Sequence, residues 1–443
     1  MDIKAYLTCK KPRRSNRLVE REKENKTHKT IKYGPLGVFD VLPIELKFHI
    51  LKYLSIEELS ILTIASKAMR NLVEGYRVTR PIGRHLIPTP HPHIQLPQEK
   101  HMEYFKQYQR LGLLMKRSTC LYATKDRLKL VNDFLTMIMC CNSNVCVSPE
   151  KCLALSCFGK FMHTVIAGWD DSECQRAFDA ICQHTSILKN MKIVINSKPG
   201  IHGKLERETR QFFRKVFLDH CPTVQDRAFW LSRILKPWPM VHQAKILYLL
   251  YGASFDTGDI LWYEMCESTP ANSEESVKYF GDIANAIQTL HSQTKEWSED
   301  DIISVVDELT SLPEEWLAEN VSHLLLMCGD SITSKLMTSK AINGRTVELC
   351  SITTSFCLVC VKNNFSLNYV VTLIQNIIQV MENPKERIHF INSMMDMFKE
   401  LILDIHEFSE SDETHEGELF FLVSALSEFT KRLIQVAFKN FLV

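Results

Sequence analysis

Apolar residues recur at three- and four-residue steps over most of this 443-residue chain, and strict apolar–polar alternation is rare. That spacing lines one face of a helix, so the chain reads as all-α. Three short helical blocks with explicit punctuation lie between Val38 and Val73. Pro43 suits a first helical turn, where its missing N–H costs nothing, and Ile50, Leu51 and Leu54 follow at helical spacing. Ser55 with Glu58 forms a capping box, in which each side chain satisfies an otherwise orphan backbone N–H. It opens a second helix at Ile56 that carries Leu59, Leu62 and Ala65. Ser66 is placed to cap a third, with Met69, Leu72 and Val73. Helices this short cannot bury all those apolar residues among themselves, so an apolar face is expected to stay open for a partner.

Start and stop signals continue from about residue 100 to the end. Ser148-Pro149 reads as an N-cap with a first-turn proline, opening a helix that can run to Gly168. Ser172 with Gln175, Thr223 with Asp226, Ser298 with Asp301 and Ser311 with Glu314 read as further starts. Lys236-Pro237-Trp238-Pro239 is expected to be a sharp corner between helices ending near Leu235 and starting near Val241, because helix cannot pass through both prolines. Trp238 has two readings there. It wedges between the two helices, so that Trp238→Ala costs ~3 to 5 kcal/mol, or it projects outward as part of a target-binding surface; the wedge is preferred, because aromatics in tight corners most often complete a core. Gly252 and Pro384 mark further breaks, and an acidic stretch from Glu407 to Glu418 reads as a solvated loop before a last helix, Leu419 to Phe441. Helices of about 12 to 20 residues at intervals of roughly 20 to 30 suggest stacked antiparallel pairs, a large helical bundle or solenoid-like domain. The repeat is not regular enough to name a solenoid class.

Composition changes this picture little. Hydrophobic residues at 45% and charged residues at 24% are those of an ordinary folded chain, and a net charge of +1 gives no general reason to expect a polyanionic partner. The longest apolar run, Ile352 to Val361, stops at Lys362 after half a membrane span, and the N-terminus has no apolar secretory region. An intracellular protein, nuclear or cytoplasmic, is therefore expected. Fifteen cysteines then read as reduced thiols filling core positions. Cys140, Cys141, Cys146, Cys152 and Cys157 are too widely stepped for zinc, Cys357-x-x-Cys360 lacks a second pair, and His91-x-His93 lacks close co-ligands, so neither metal nor cofactor is expected. Lys10, Lys11, Arg13, Arg14 and Arg17 crowd into a polar leader that reads either as a nuclear import signal or as a solvated tail. Five prolines between Pro81 and Pro97 make a semi-rigid spacer. No phosphate-binding glycine loop, nucleophile elbow or His-Glu-x-x-His is present, so no catalytic role is expected.

Leu42-Pro43-Ile44-Glu45-Leu46, then Ile50-Leu51-Lys52-Tyr53-Leu54, then Leu59 and Ala65-Ser66-Lys67 together resemble the F-box family. Ala65 and Met69 depart from the valine and tryptophan that the family often has there. The resemblance implies that Leu42, Pro43, Leu46, Ile50, Leu51, Leu54, Leu59, Leu62, Ser66 and Met69 dock on the S-phase kinase-associated adaptor, which links F-box proteins to a cullin scaffold. Further blocks match one branch of that family in order along nearly the full chain: Leu111 to Arg117, Ala167 to Asp170, Phe229 to Ala244, Thr294 to Trp297 and Asn343 to Thr346. They imply a non-catalytic substrate receptor of an SCF-type ubiquitin ligase, in a branch associated with germ cells and meiosis. The alternative is a nuclear scaffolding protein whose F-box-like module acts without target degradation. The expected division is a basic leader over 1–35, an F-box over 36–78, a proline-rich linker over 79–100 and a helical recruitment domain over 101–443.

Overall fold

The helix starts are set by side chains that accept from N–H groups left free in a first turn. Ser55 Oγ accepts from Glu58 N at 3.2 Å while Ser55 N donates to Glu58 Oε2 at 2.7 Å, and Ser298 with Asp301 repeats the arrangement. Ser66 and Thr223 cap as their spacing predicts. Two starts differ. Asp170, not Ser172, caps its helix, accepting from Glu173 N and from the Ser172 hydroxyl at 2.8 Å each, because an ionised acceptor makes the stronger bond. Ser311 opens no helix: the indole N–H of buried Trp316 donates back to Leu312 O at 2.8 Å, and the next helix waits until Ala318.

The computed structural model describes residues 34–79, 86, 97–138, 152–409 and 420–432, and among these the fold is all-α, with one isolated bridge between Ser254 and Ile260. The basic leader, nearly all of the proline-rich linker, Ser148-Pro149, Cys140, Cys141, Cys146, the acidic residues from 410 to 418 and the final residues from 433 lie outside the described residues. Two compact units are present. The first holds α1 (Ile44–Leu51), α2 (Ile56–Ala65) and α3 (Lys67–Val78) after a 3-10 turn over Gly37–Val41. In the following α4 (Gln98–Ser118), residues from Leu113 group with the first unit and those before it with the second.

After the first part of α4, the second unit continues with α5 (Thr124–Ile138), α6 (Ala154–Ile166), α7 (Asp171–Thr185), α8 (Ile187–Asn196) and α9 (Gly203–Phe213). A π-helical turn, Arg214–Leu218, follows α9 and packs on α6, where Gly159 permits the approach; a Cβ there would stand 2.3 Å from Lys215 O. Two layers then alternate. α10 (Val224–Leu235), α12 (Ser273–Gln293), α14 (Ala318–Cys328), α16 (Thr346–Lys362) and α18 (Pro384–Ser409) stack one on the next. α11 (Met240–Tyr251), α13 (Glu299–Leu309), α15 (Asp330–Ile342) and α17 (Asn368–Val380) stack beside them. This is an α-solenoid, in which each helix pair buries its apolar faces on its neighbours. The four pairs begin at residues 224, 273, 318 and 346, with α18 following at 384, and such uneven steps leave no repeat legible in the sequence.

Interior helices are covered on nearly all sides. In α11 every residue from Gln243 to Tyr251 is buried, as a helix between two neighbours requires. Several polar groups inside are paired between elements: Asn320 Nδ2 donates to Met265 O at 2.8 Å and to Ser268 O at 2.7 Å, and Ser322 Oγ to Ile352 O at 3.1 Å. Lys340 is buried and ion-paired to Asp307 and Glu348. Burial pushes the Asp307 carboxyl up, yet Lys340 and Arg345 together hold it below the ordinary range. Cys357 and Cys360 lie buried in α16, and burial pushes the Cys360 thiol up to about 11. No helix among the described residues is long and apolar enough to cross a membrane.

Candidate docking surface

Leu51, Leu59, Leu72, Val73 and Tyr76 form the interior of the first unit, with Phe48 edge-on to Tyr76 at 5.8 Å. Hydrogen bonds hold α2 in place. Thr63 Oγ1 donates to Ser60 O at 2.7 Å, Arg70 Nε to Thr63 O at 3.1 Å, and Arg117 Nη1 to Ser60 Oγ at 3.0 Å. These bonds turn the Ser60 and Thr63 side of α2 inward. Ile61 and Ile64 are consequently left in water, both 57% exposed.

On and just before α1, Pro43, Ile44, Leu46 and Ile50 are exposed, Leu46 to 50% and Ile50 to 38%. Leu46 and Ile50 stand four residues apart and so form one stripe. Apolar side chains grouped in this way on so small a unit suit a surface covered by another protein. The ten residues named from the motif do not share one environment. Pro43, Leu46 and Ile50 are exposed, Leu42, Leu54, Leu62 and Met69 are half-buried, and Leu51 and Leu59 are fully inside, supporting the surface from beneath. Ser66 is the N-cap of α3, its Oγ accepting from Met69 N at 3.1 Å. The docking residues named from the motif left out Ile44, which lies within it, as well as Ile61 and Ile64. The helical period contained the signal for the last two, since Ile61 and Ile64, two and five positions from buried Leu59, lie roughly 200° and roughly 140° round the helix from it.

Trp238 is placed between its two expected positions. α10 ends at Leu235 and α11 begins at Met240, so the corner stands where the prolines put it. Its ring is only half-buried, however. The corner is closed by the main chain: Trp238 N donates to Leu235 O at 3.0 Å, and Gln243 Nε2 donates to Trp238 O at 2.7 Å. Nearby core positions belong to Trp230 and Trp297, the latter donating to Ser232 Oγ at 3.0 Å. A wedge is unnecessary where hydrogen bonds and proline geometry already fix the turn.

The family model described as FBXO47, ARM repeats matches residues 183–416, which take in the stacked helices α10 to α18. F-box only protein 47 of Homo sapiens is 38% identical over 406 residues, covering 90% of this chain and 89% of that protein. F-box only protein 47 of Mus musculus is 38% identical over 407 residues, with the same 90% and 89% coverage. No solved structure matches. A likeness that extends over nine-tenths of both chains takes in the F-box motif and the solenoid alike, and this chain therefore belongs to the F-box only protein 47 family.

Proposed function

We propose that this chain is a non-catalytic substrate receptor of an SCF-type ubiquitin ligase. The first unit docks on the S-phase kinase-associated adaptor and through it on a cullin scaffold, while the solenoid holds a target for a separate enzyme to modify. The observation that carries this reading is the exposed apolar stripe of Leu46 and Ile50 within the F-box motif of α1. Family resemblance extends the reading to germ cells and meiosis.

Affinity purification from the native tissue, wild type beside Leu42→Ala with Pro43→Ala, tests it. Adaptor and cullin are expected in the wild-type complex and absent from the variant, with bound target retained and its turnover slowed. Undiminished adaptor capture by the variant would overturn the docking assignment. A wild-type complex without cullin, whose bound proteins do not turn over, would favour a nuclear scaffold instead.

The basic cluster Lys10, Lys11, Arg13 and Arg14 supports nuclear entry, because short basic runs are read by import machinery. Replacing all four by alanine is expected to move the protein towards the cytoplasm without changing its melting temperature. A variant as nuclear as wild type would reduce the cluster to a solvated tail.

A further inference from the structure

A cleft of about 620 Å³ opens in the second unit where three sequence-distant segments meet. Its walls are the turn between α6 and α7, the start of α10, and the segment after α12. Three of the blocks that carry the family resemblance, at Trp169, Phe229 and Glu296, come together here. Gly168, at φ +81, leaves the mouth open, with nothing within 4 Å of where a Cβ would stand.

The wall chemistry is one-sided. Asp171 is exposed at the first turn of α7 and makes no hydrogen bond or ion pair among the described residues. Asp226 uses Oδ2 to accept from Thr223 Oγ1 at 2.7 Å, which leaves Oδ1 for another donor. Cys174 lies between these groups and reports the field: burial pushes its thiol up to about 11, and Asp171, Asp226, Asp170 and Glu173 all add to the shift. His163 in the wall does not offset that charge, since burial pulls it down to about 4 and keeps it neutral at cellular pH. Lys295 is the one basic residue among the described lining residues, and it sits exposed at the rim.

The aromatic wall adds a second requirement. Trp169 is capped on one face by the Arg127 guanidinium at 4.7 Å, yet its indole Nε1 is buried with no partner. A buried donor left unsatisfied is costly, so it calls for an acceptor. Phe229 is half-buried in the same wall, and the Arg233 guanidinium already lies 5.1 Å from its ring centroid, so the ring is one that takes a planar cation. A cation for the carboxylates, a carbonyl for the indole and a flat group for the rings are together the features of an arginine within an extended peptide.

We propose that this cleft binds an arginine-bearing extended segment of a protein partner, the guanidinium meeting Asp171 and Asp226 and a main-chain carbonyl accepting from Trp169 Nε1. The proposal deepens the receptor reading and rests on it for the identity of the partner as a target.

The test uses the purified full chain and two fluorescent dodecapeptides, one alternating arginine with leucine and the other with glutamate in place of every arginine, followed by anisotropy. The arginine peptide is expected to bind, more weakly as salt rises, and the glutamate peptide not to bind. Asp171→Asn with Asp226→Asn should weaken binding about tenfold or more, as loss of charge partners does in desolvated sites. Lys295→Glu, a change at an exposed rim position with little bearing on folding, should tighten it. Equal binding of the two peptides, no binding of the arginine peptide, or indifference to both variants would overturn the proposal. Adaptor capture by the same proteins separates the two readings. If capture fails in wild type while the charge-dependent peptide binding holds, the receptor reading falls and the cleft stands; with capture intact and no charge dependence, the cleft alone falls.

Discussion

Leu46→Ala with Ile50→Ala is expected to cut capture of the S-phase kinase-associated adaptor by about thirtyfold or more while leaving the melting temperature unchanged. Both side chains already stand half in water, so truncating them removes little that holds the unit together. Exposed positions of this kind change folding stability by only about 0.5 kcal/mol. As anchors at the centre of an interface they commonly cost ~1 to 2 kcal/mol each, and two such losses multiply. Leu59→Ala is the control, because Leu59 has no exposure and its truncation leaves a cavity costing about 2 to 5 kcal/mol. That variant should lose adaptor capture and fold together. Pull-down beside a thermal melt reads both quantities. If the exposed pair melts early, or captures adaptor as well as wild type does, the stripe on α1 is not the docking surface.

Trp230→Ala is expected to cost about 3 to 5 kcal/mol and to lower the melting temperature by roughly 5 to 10 °C. Trp230 is 2% exposed, with Phe229 at 5.0 Å, Phe217 at 5.1 Å, His163 at 6.0 Å and Phe178 at 6.4 Å between ring centroids. Its removal opens a hole among α6, α7, the π turn and α10, which relaxation of the backbone cannot close fully. Trp238→Ala should cost less, about 1 to 2 kcal/mol, since part of its surface stays in water and its truncation gives up less burial. Melting the two variants side by side decides between them. A Trp238 variant as unstable as the Trp230 variant would restore the wedge at the corner.

What was legible in the sequence is what is decided within a few residues. A capping pair such as Ser55 with Glu58 or Ser298 with Asp301 closes its own hydrogen bonds, so its letters suffice. The same is true of the proline corner at Pro237 and Pro239, where ring geometry acts on the adjacent backbone. At Ser172 and Ser311 the local signal lost to stronger claims, from the Asp170 carboxylate in one case and from the core position of Trp316 in the other. The motif in α1 and α2 marked the unit but not which way each side chain faces. That direction is set by the Arg70 and Arg117 hydrogen bonds to Thr63 and Ser60, which the motif does not contain.

The solenoid order, and the choice of Trp230 over Trp238 as the buried ring, depend on helices tens of residues apart. So does the meeting of Trp169, Asp226 and Glu296 at one cleft. Helical periodicity shows that a residue has a face to bury, because that depends on a turn of 3.6 residues. It carries no record of which neighbour covers the face, because that depends on how unequal helix pairs stack, and only the packed chain settles it.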